Sequence, residues 1–483
     1  MTDIAKTKEK NGVYYIHCLV GLLLMFGVGR LPEIGPITHV GMQVAGIFLG
    51  LIYLWSSVGL FWPSLIGVLA LGMSDAMSLS DVIAGGLGNS NVFQMITCMI
   101  MVGALTDSGA GEYIARWIIT RKALNGRPLL FSMVLLVAFW FPAIAMGSIG
   151  IIFLGWAIIE AIANELEYGM DSPYVKMMTV GTFTVAMAGS ATLPFRGWRA
   201  SLAAAYGDAV GNPMNYGVYI FCAVVVGLLF IVLYVLAMKY VFKADFSKLQ
   251  NVNVEFLESR SQQKMDDRQR VFMIGFVAVV VYILAITLLP ADWAVIKFIS
   301  PVSSTGIFAF AVGILCLVKK EGEPLLDFQK IASKYVEWRT ILVCMAALPI
   351  ASALMADDTG IKVFFSNILQ PVFAGKSAFF LIACVCVTIT ILTNVGSNIG
   401  MGLLLIPIVA PFVTQLGVKT DVVGIAIVYL ANLAYILPGA SAIAGLLYSR
   451  RNLMAKDVYK YGGTILVMFC LLMMAVLMIY NVV

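Results

Sequence analysis

The run PLLFSMVLLVAFWFPAIAMGSIGIIFLGWAII, residues 128–159, contains no charged side chain and carries Gly147-Ser148 near its middle. A helix needs about 20 apolar residues to cross the roughly 30 Å hydrocarbon core of a bilayer, so this run is too long for one comfortable crossing. It reads as a helix that enters, turns at the glycine and returns. A second run, SAFFLIACVCVTITILTNVGSNIGMGLLLIPIVAPFVTQLGV over 377–418, has the same character, with Gly396-Ser397-Asn398 at its bend. Backbone that turns at membrane depth is tolerated only where protein or a water-filled cavity surrounds it. The two bends are therefore the first places to look for function.

The rest of the composition agrees. Of 483 residues, 61% are hydrophobic and 12% charged, where a soluble domain carries about a quarter charged, and the mean hydropathy is +0.95. A soluble enzyme is excluded. The apolar runs are continuous rather than alternating, which argues against a β-barrel. The fold expected is all-α: a polytopic membrane protein with eleven transmembrane helices and two re-entrant hairpins. The spans fall at roughly 13–29, 40–55, 57–74, 91–106, 174–205, 216–241, 271–290, 298–318, 339–356, 421–448 and 461–482. Residues 109–122 and 359–373 read as amphipathic surface helices with Trp117 and Phe364 as interfacial anchors. A net charge of +5 suggests no nucleic-acid partner; the lipid bilayer is the expected one. The eight cysteines lie in apolar stretches without CxxC spacing, so neither a disulfide nor a metal site is expected. No signal peptide is read at the lysine-containing start.

Basic residues set the orientation. Lys6, Lys8 and Lys10 precede span 1, Arg116 to Arg127 follow span 4, six Lys and Arg residues fill the loop 243–270, and Arg450 to Lys460 precede the last span. These belong in the cytoplasm, which places the N-terminus inside and the C-terminus outside. The hairpin at 128–159 then enters from the cytoplasm and that at 377–418 from outside, as an inverted repeat requires. Three matches in the same order support the repeat: Asp107-Ser108-Gly109 with Asp358-Thr359-Gly360, GSIG from Gly147 with GSNIG from Gly396, and GSA from Gly189 with GASA from Gly439. The chain divides accordingly into N-terminal spans (1–90), a first transport repeat (91–213), linking spans (214–338), a second transport repeat (339–450) and a last span (451–483), the first and third parts forming a scaffold.

A bend in a buried helix frees carbonyls on one side and amides on the other. Helix N-termini suit carboxylates, and unwound carbonyls suit sodium. Four breaks can converge at mid-membrane. The residues expected to touch a small anionic substrate are Gly147, Ser148, Ser190, Thr192, Arg196, Ser397, Asn398 and Ser441; those expected to hold sodium are Ser148, Gly189, Asn394, Asn398 and Gly439. Arg196 is read either as an anion contact, as a fixed cation standing where sodium would sit, or as an arginine reaching out to headgroups; Arg199 is read chiefly in the last way. Asp357, Asp358 and Asp107 read as solvated groups at helix ends. A cation/proton antiporter would need titratable carboxylates in the hairpins, which contain none. An intramembrane hydrolase would need a histidine base, and none follows His39.

With these features the chain resembles the divalent anion:sodium symporter family of the ion transporter superfamily, over most of its length and notably in GMQVAGIFLGLIYLWSSVGLFWPSLIGVLALGM (41–73). Family members carry Ser-Asn-Thr at each hairpin tip. Here Ser397-Asn398 fits with Ile399 in place of threonine, LPGASA (437–442) is similar to the second signature, and Gly147-Ser148-Ile149 departs from it. The resemblance implies a secondary transporter of di- or tricarboxylates, sulfate or a similar anion, usually driven by sodium. It further implies a homodimer working in an elevator-like manner, in a bacterial inner membrane, with no cofactor beyond Na⁺ as coupling ion.

Overall fold

The computed structural model describes residues 2–110, 126–251, 265–290, 292–320, 322–373, 375–395, 398–437, 440–441, 443–448 and 450–483. Its main helices are α1 (Thr2–Gly27), α2 (His39–Ser57), α3 (Phe61–Gly72), α4 (Leu79–Gly86), α5 (Ser90–Asp107), α6 (Pro128–Met146), α7 (Ser148–Glu165), α8 (Pro173–Ala191), α9 (Trp198–Val210) and α10 (Tyr216–Tyr240). There follow α11 (Asp267–Leu288), α12 (Ser303–Leu317), α13 (Phe328–Tyr335), α14 (Trp338–Met355), α15 (Ile361–Phe373), α16 (Ala378–Val395), α17 (Asn398–Gln415), α18 (Thr420–Leu430) and α19 (Gly463–Val482). A two-residue antiparallel ribbon, Lys319–Lys320 with Glu323–Pro324, precedes α13.

Among the described residues, seven helices are long and apolar enough to cross a membrane, or nine if each of two bent pairs counts as one crossing. The expected spans 13–29, 216–241, 271–290 and 461–482 are full-length helices, and 298–318 and 339–356 fall in the bent pairs. Those at 40–55, 57–74, 91–106 and 421–448 contain shorter apolar helices, and 174–205 is a helix, a break and a second helix. Exposed apolar side chains line the outer helices, among them Phe221, Leu228 and Val232 of α10 and Ile274, Val277 and Val281 of α11. That is the outer surface of an integral membrane protein, whose polar faces turn inward.

Local signals fix where the helices start. Ser172 caps α8 by accepting from the Val175 amide at 3.4 Å, with Pro173 in the first turn, where its missing N–H costs nothing. Asn215 caps α10, and Asp266 and Gln269 close a capping box on α11. Two helices are buried all round: α8 from Tyr174 to Ala191 and α18 from Val422 to Leu430. They are the first halves of the two spans expected to break, and each packs against both arms of its own hairpin, α6 and α7 on α8, α16 and α17 on α18. The same arrangement is thus built twice.

The repeat is also visible in fine geometry. The Ser108 and Thr359 hydroxyls each donate at 2.7 Å to the carbonyl three residues back, Leu105 and Ala356. The following glycines, Gly109 and Gly360, both take left-handed backbone, with φ of 73° and 67°. One expectation fails here. Asp107 is not a solvated helix end: its carboxylate bonds Lys334 at 2.7 Å and the Tyr335 hydroxyl at 3.2 Å, with Lys330 at 3.7 Å, because α13 folds back over the end of α5. Asp357 and Asp358 are exposed as expected. The surface helix expected at 359–373 is α15; most of the one expected at 109–122, with Trp117, lies outside the described residues.

Candidate functional site

The first hairpin turns on a single residue. Gly147 ends α6 and starts α7 with φ 90° and ψ 176°, a conformation that L side chains rarely adopt. A Cβ there would also lie 2.8 Å from Nη2 of Arg196, so the guanidinium sits directly over the tip. Its Nη1 donates to the Ile144 carbonyl at 3.4 Å. A cation at that point meets the negative end of α6, while the buried Ser148 opens α7 beside it. Arg196 therefore faces the hairpin, not headgroups.

Between α8 and α9 the chain breaks over residues 192–197. Pro194 cannot continue a helix, and Gly197, at φ 58°, starts the next one. The carbonyls freed near this break find partners in the protein: Ala191 accepts from the Tyr219 hydroxyl at 2.8 Å and Leu193 from Nε of Arg199 at 3.4 Å. The Ser190 and Thr192 hydroxyls turn back onto their own helix, donating to Met187 at 2.8 Å and Ala188 at 3.3 Å. Gly189 is where α8 meets the hairpin. A Cβ there would fall 2.3 Å from the Trp140 carbonyl oxygen, so close helix packing requires glycine.

The second break, after α18, is held by side chains of the second hairpin. Oδ1 of Asn394 accepts from the amides of Tyr435 and Ile436, each at 2.9 Å, while Nδ2 donates to the carbonyls of Leu433 at 3.1 Å and Thr390 at 2.9 Å. The Thr393 hydroxyl donates to Ala431 at 2.8 Å and lies 3.2 Å from Oδ1 of Asn398 at the start of α17. Ser441 donates to the Ala434 carbonyl at 2.7 Å, and Tyr448 to that of Ile436. Ser397 and Gly439 lie outside the described residues.

A side chain of the second break reaches across to the first. Asn432, in the second break, accepts from Nη1 of Arg199 at 2.9 Å and donates to the Met187 carbonyl of α8 at 2.7 Å. Tip, break, break and tip are thus linked in sequence through Arg196, Arg199, Asn432 and the pair Thr393 and Asn394. Arg199 is buried, 6% exposed, which rules out the expected headgroup contact. Asn432 was missed altogether, although it is the one carboxamide inside the apolar run from Val422 to Leu437, and a polar group at such depth points to a specific partner. Among the described residues neither Arg196 nor Arg199 has a carboxylate within 4.0 Å; Glu337 is within electrostatic reach of both and contacts neither.

Residues 48–428 match the CitMHS family, described as citrate transporter. The chain is 21% identical to the sodium-dependent dicarboxylate transporter SdcS of Staphylococcus saprophyticus, over 94% of its own length and 90% of that protein's. Two solved structures share its fold. The YdaH transporter of Alcanivorax borkumensis, described as having an unusual topology, aligns with a TM-score of 0.57 at 11% identity, covering 92% of this chain and 98% of that one. MtrF of Neisseria gonorrhoeae, described as illuminating a class of antimetabolite efflux pumps, aligns at 0.59 and 13%, covering 98% and 95%. At such identities the two structures speak for fold alone. The family match, in contrast, takes in both hairpins and the first break, stopping within α18 short of the second, and it identifies a membrane transporter and not an enzyme: the chain belongs to the CitMHS family of citrate transporters.

Proposed function

We propose that this protein is a secondary active transporter of small di- or tricarboxylates, working by elevator-like alternating access. The observation that carries the reading is the pair of guanidiniums, Arg196 and Arg199, held between the hairpins with no carboxylate in contact among the described residues. Unpaired charge in such a setting is costly, and a carboxylate is the planar partner that arginine matches with two parallel hydrogen bonds. In this reading Arg196 with the Gly147-Ser148 tip takes one end of the anion. Asn398, Ser397 and Ser441 take the other, and Ser190 and Thr192 shape the wall. Residues 91–213 and 339–450 form the moving transport unit, residues 1–90 and 214–338 the scaffold, and two chains pair as a homodimer. The basic loops place the N-terminus in the cytoplasm of a bacterial inner membrane.

Sodium enters this reading through the second half, at Asn398 and the carbonyls around Gly439; Ser148, Gly189 and Asn394 were the other candidates. All four hydrogen bonds of Asn394 go to backbone, and Gly189 is pressed against Trp140, which supports structural roles for both. A second reading, sodium-independent anion exchange, is favoured by the fixed arginines, which already supply two positive charges. Uptake of radiolabelled citrate, succinate and sulfate into proteoliposomes, with sodium or choline outside, tests both. Saturable carboxylate uptake lost in Arg196→Ala is expected. Counterflow in choline would favour exchange, and transport of none of the three anions would end the proposal.

A further inference from the structure

A cavity of about 560 Å³ opens along the C-terminal part of α7, away from the Ser148 tip. Trp156, Glu160 and Asn164 line it from the hairpin arm, and Arg450, Arg451 and Asn452 from the loop that follows the second break. Its volume suits a small ligand. Arg450 bridges the two sides: one guanidinium nitrogen binds the Glu160 carboxylate, and the group lies 4.7 Å above the Trp156 ring. The site therefore already binds a carboxylate, one supplied by the protein. Asn452 is 7% exposed, and its Oδ1 has no hydrogen-bond partner among the described residues. The orientation of that amide is set by its neighbour. The Thr179 hydroxyl donates to the Val175 carbonyl and so can only accept from Asn452, which turns Nδ2 toward Thr179 at 3.4 Å and leaves Oδ1 as a buried acceptor lacking a donor.

We propose that this vestibule is a second anion-docking site, distinct from the mid-membrane contacts, which takes hydroxylated polycarboxylates. The solute's carboxylate displaces Glu160 from Arg450, a second carboxylate meets Arg451, and its hydroxyl donates to Oδ1 of Asn452. Glu160 is then an internal stand-in that fills the site between solutes and returns when the anion moves on. The inference rests on the carboxylate-transport reading for its biological sense, but the docking site can be measured without transport.

Citrate and tricarballylate, which is citrate without its hydroxyl, are titrated calorimetrically into the purified full-length protein carrying Arg196→Ala, so that the proposed central contact is weakened. Adding Glu160→Gln removes the internal competitor and is expected to tighten citrate binding about tenfold. Tricarballylate is expected to bind about tenfold more weakly than citrate, a gap that Asn452→Ala abolishes. Arg450→Lys keeps the charge but not the planar fork, and is expected to weaken binding with an unchanged Tm. If Glu160→Gln leaves citrate affinity unchanged or lower, the pair is a latch between hairpin and loop and the docking site is refuted. Equal affinities for the two acids in the Glu160→Gln protein refute the role of Asn452. Failure of the transport reading shows elsewhere, as absence of uptake by wild-type proteoliposomes.

Discussion

Replacing Asn394 by leucine separates a structural staple from an ion ligand. The substitution keeps the volume but deletes four hydrogen bonds, two from backbone amides of the second break and two to carbonyls. The Thr390 carbonyl belongs to α16 and loses only a secondary partner. The Leu433 carbonyl and the Tyr435 and Ile436 amides lie in non-helical chain, with Tyr435 and Leu433 fully buried. A buried amide left without an acceptor costs about 1–3 kcal/mol, so two of them place the loss at roughly 2–6 kcal/mol before any relaxation of the break. Asn394→Asp is the matched comparison: it still accepts both amides but sets a carboxylate against two carbonyl oxygens. Thermal unfolding in detergent, followed together with citrate uptake, gives the readout. The expected order of Tm is wild type, then Asp, then Leu, with the leucine variant lower by several degrees and inactive. If Asn394→Leu unfolds within about one degree of wild type and loses only its response to sodium, the side chain is an ion ligand and the reasoning fails.

Other outcomes follow from the same contacts. Gly189→Ala drives a methyl group into the Trp140 carbonyl, and overpacking of that kind costs roughly 1–3 kcal/mol; the fall in Tm should be absent in Gly445→Ala, where a Cβ meets nothing within 4 Å. Asn432→Leu leaves the Arg199 guanidinium without its 2.9 Å partner and should destabilise by roughly 1.5–3 kcal/mol, as losing a hydrogen bond to a charged group does, whereas Asn432→Asp should largely preserve Tm while abolishing carboxylate uptake by neutralising the site. Lys176 and Asp457, each with 11% of the side chain exposed, meet at 3.0 Å and tie the start of α8 to the segment leading into α19. Lys176→Met alone should lower Tm markedly, and a paired Lys176→Met, Asp457→Leu protein should recover most of the loss.

The hairpins were legible because lipid imposes a length rule: a charge-free run too long for one crossing must turn, and in the first hairpin Gly147 marks where. The Ser108-Gly109 and Thr359-Gly360 corners were legible for a similar reason, since a hydroxyl that folds back on its helix and a left-handed glycine both depend on short-range geometry. What could not be read is long-range. Nothing in the neighbourhood of Arg199 says that its partner is Asn432, 233 residues away, or that Asp107 is covered by α13. For Asn394 and Gly189 polarity and small size do not separate a ligand from a structural part, because a broken helix needs both to satisfy and pack its own backbone.

The two halves differ in the chemistry that completes their breaks. Amides and hydroxyls of Thr393, Asn394, Ser441 and Tyr448 complete the second, all of them neutral. A tyrosine and an arginine complete the first, and a further arginine covers its tip. Neutral carboxamides can turn either an oxygen or a nitrogen toward a solute, so the second half can in principle serve a cation or an anion. The guanidiniums cannot change sign, since arginine stays protonated in proteins, so on the proposed reading the first half takes anions. On the proposed reading this asymmetry sets the charge balance of transport. A dicarboxylate is neutralised by the two fixed arginines without a co-ion, while a tricarboxylate leaves one negative charge that the second half must meet with a cation or a proton. A symmetric pair of neutral tips would need cations for either solute, so the arginines are what would let one fold carry different anions with different coupling.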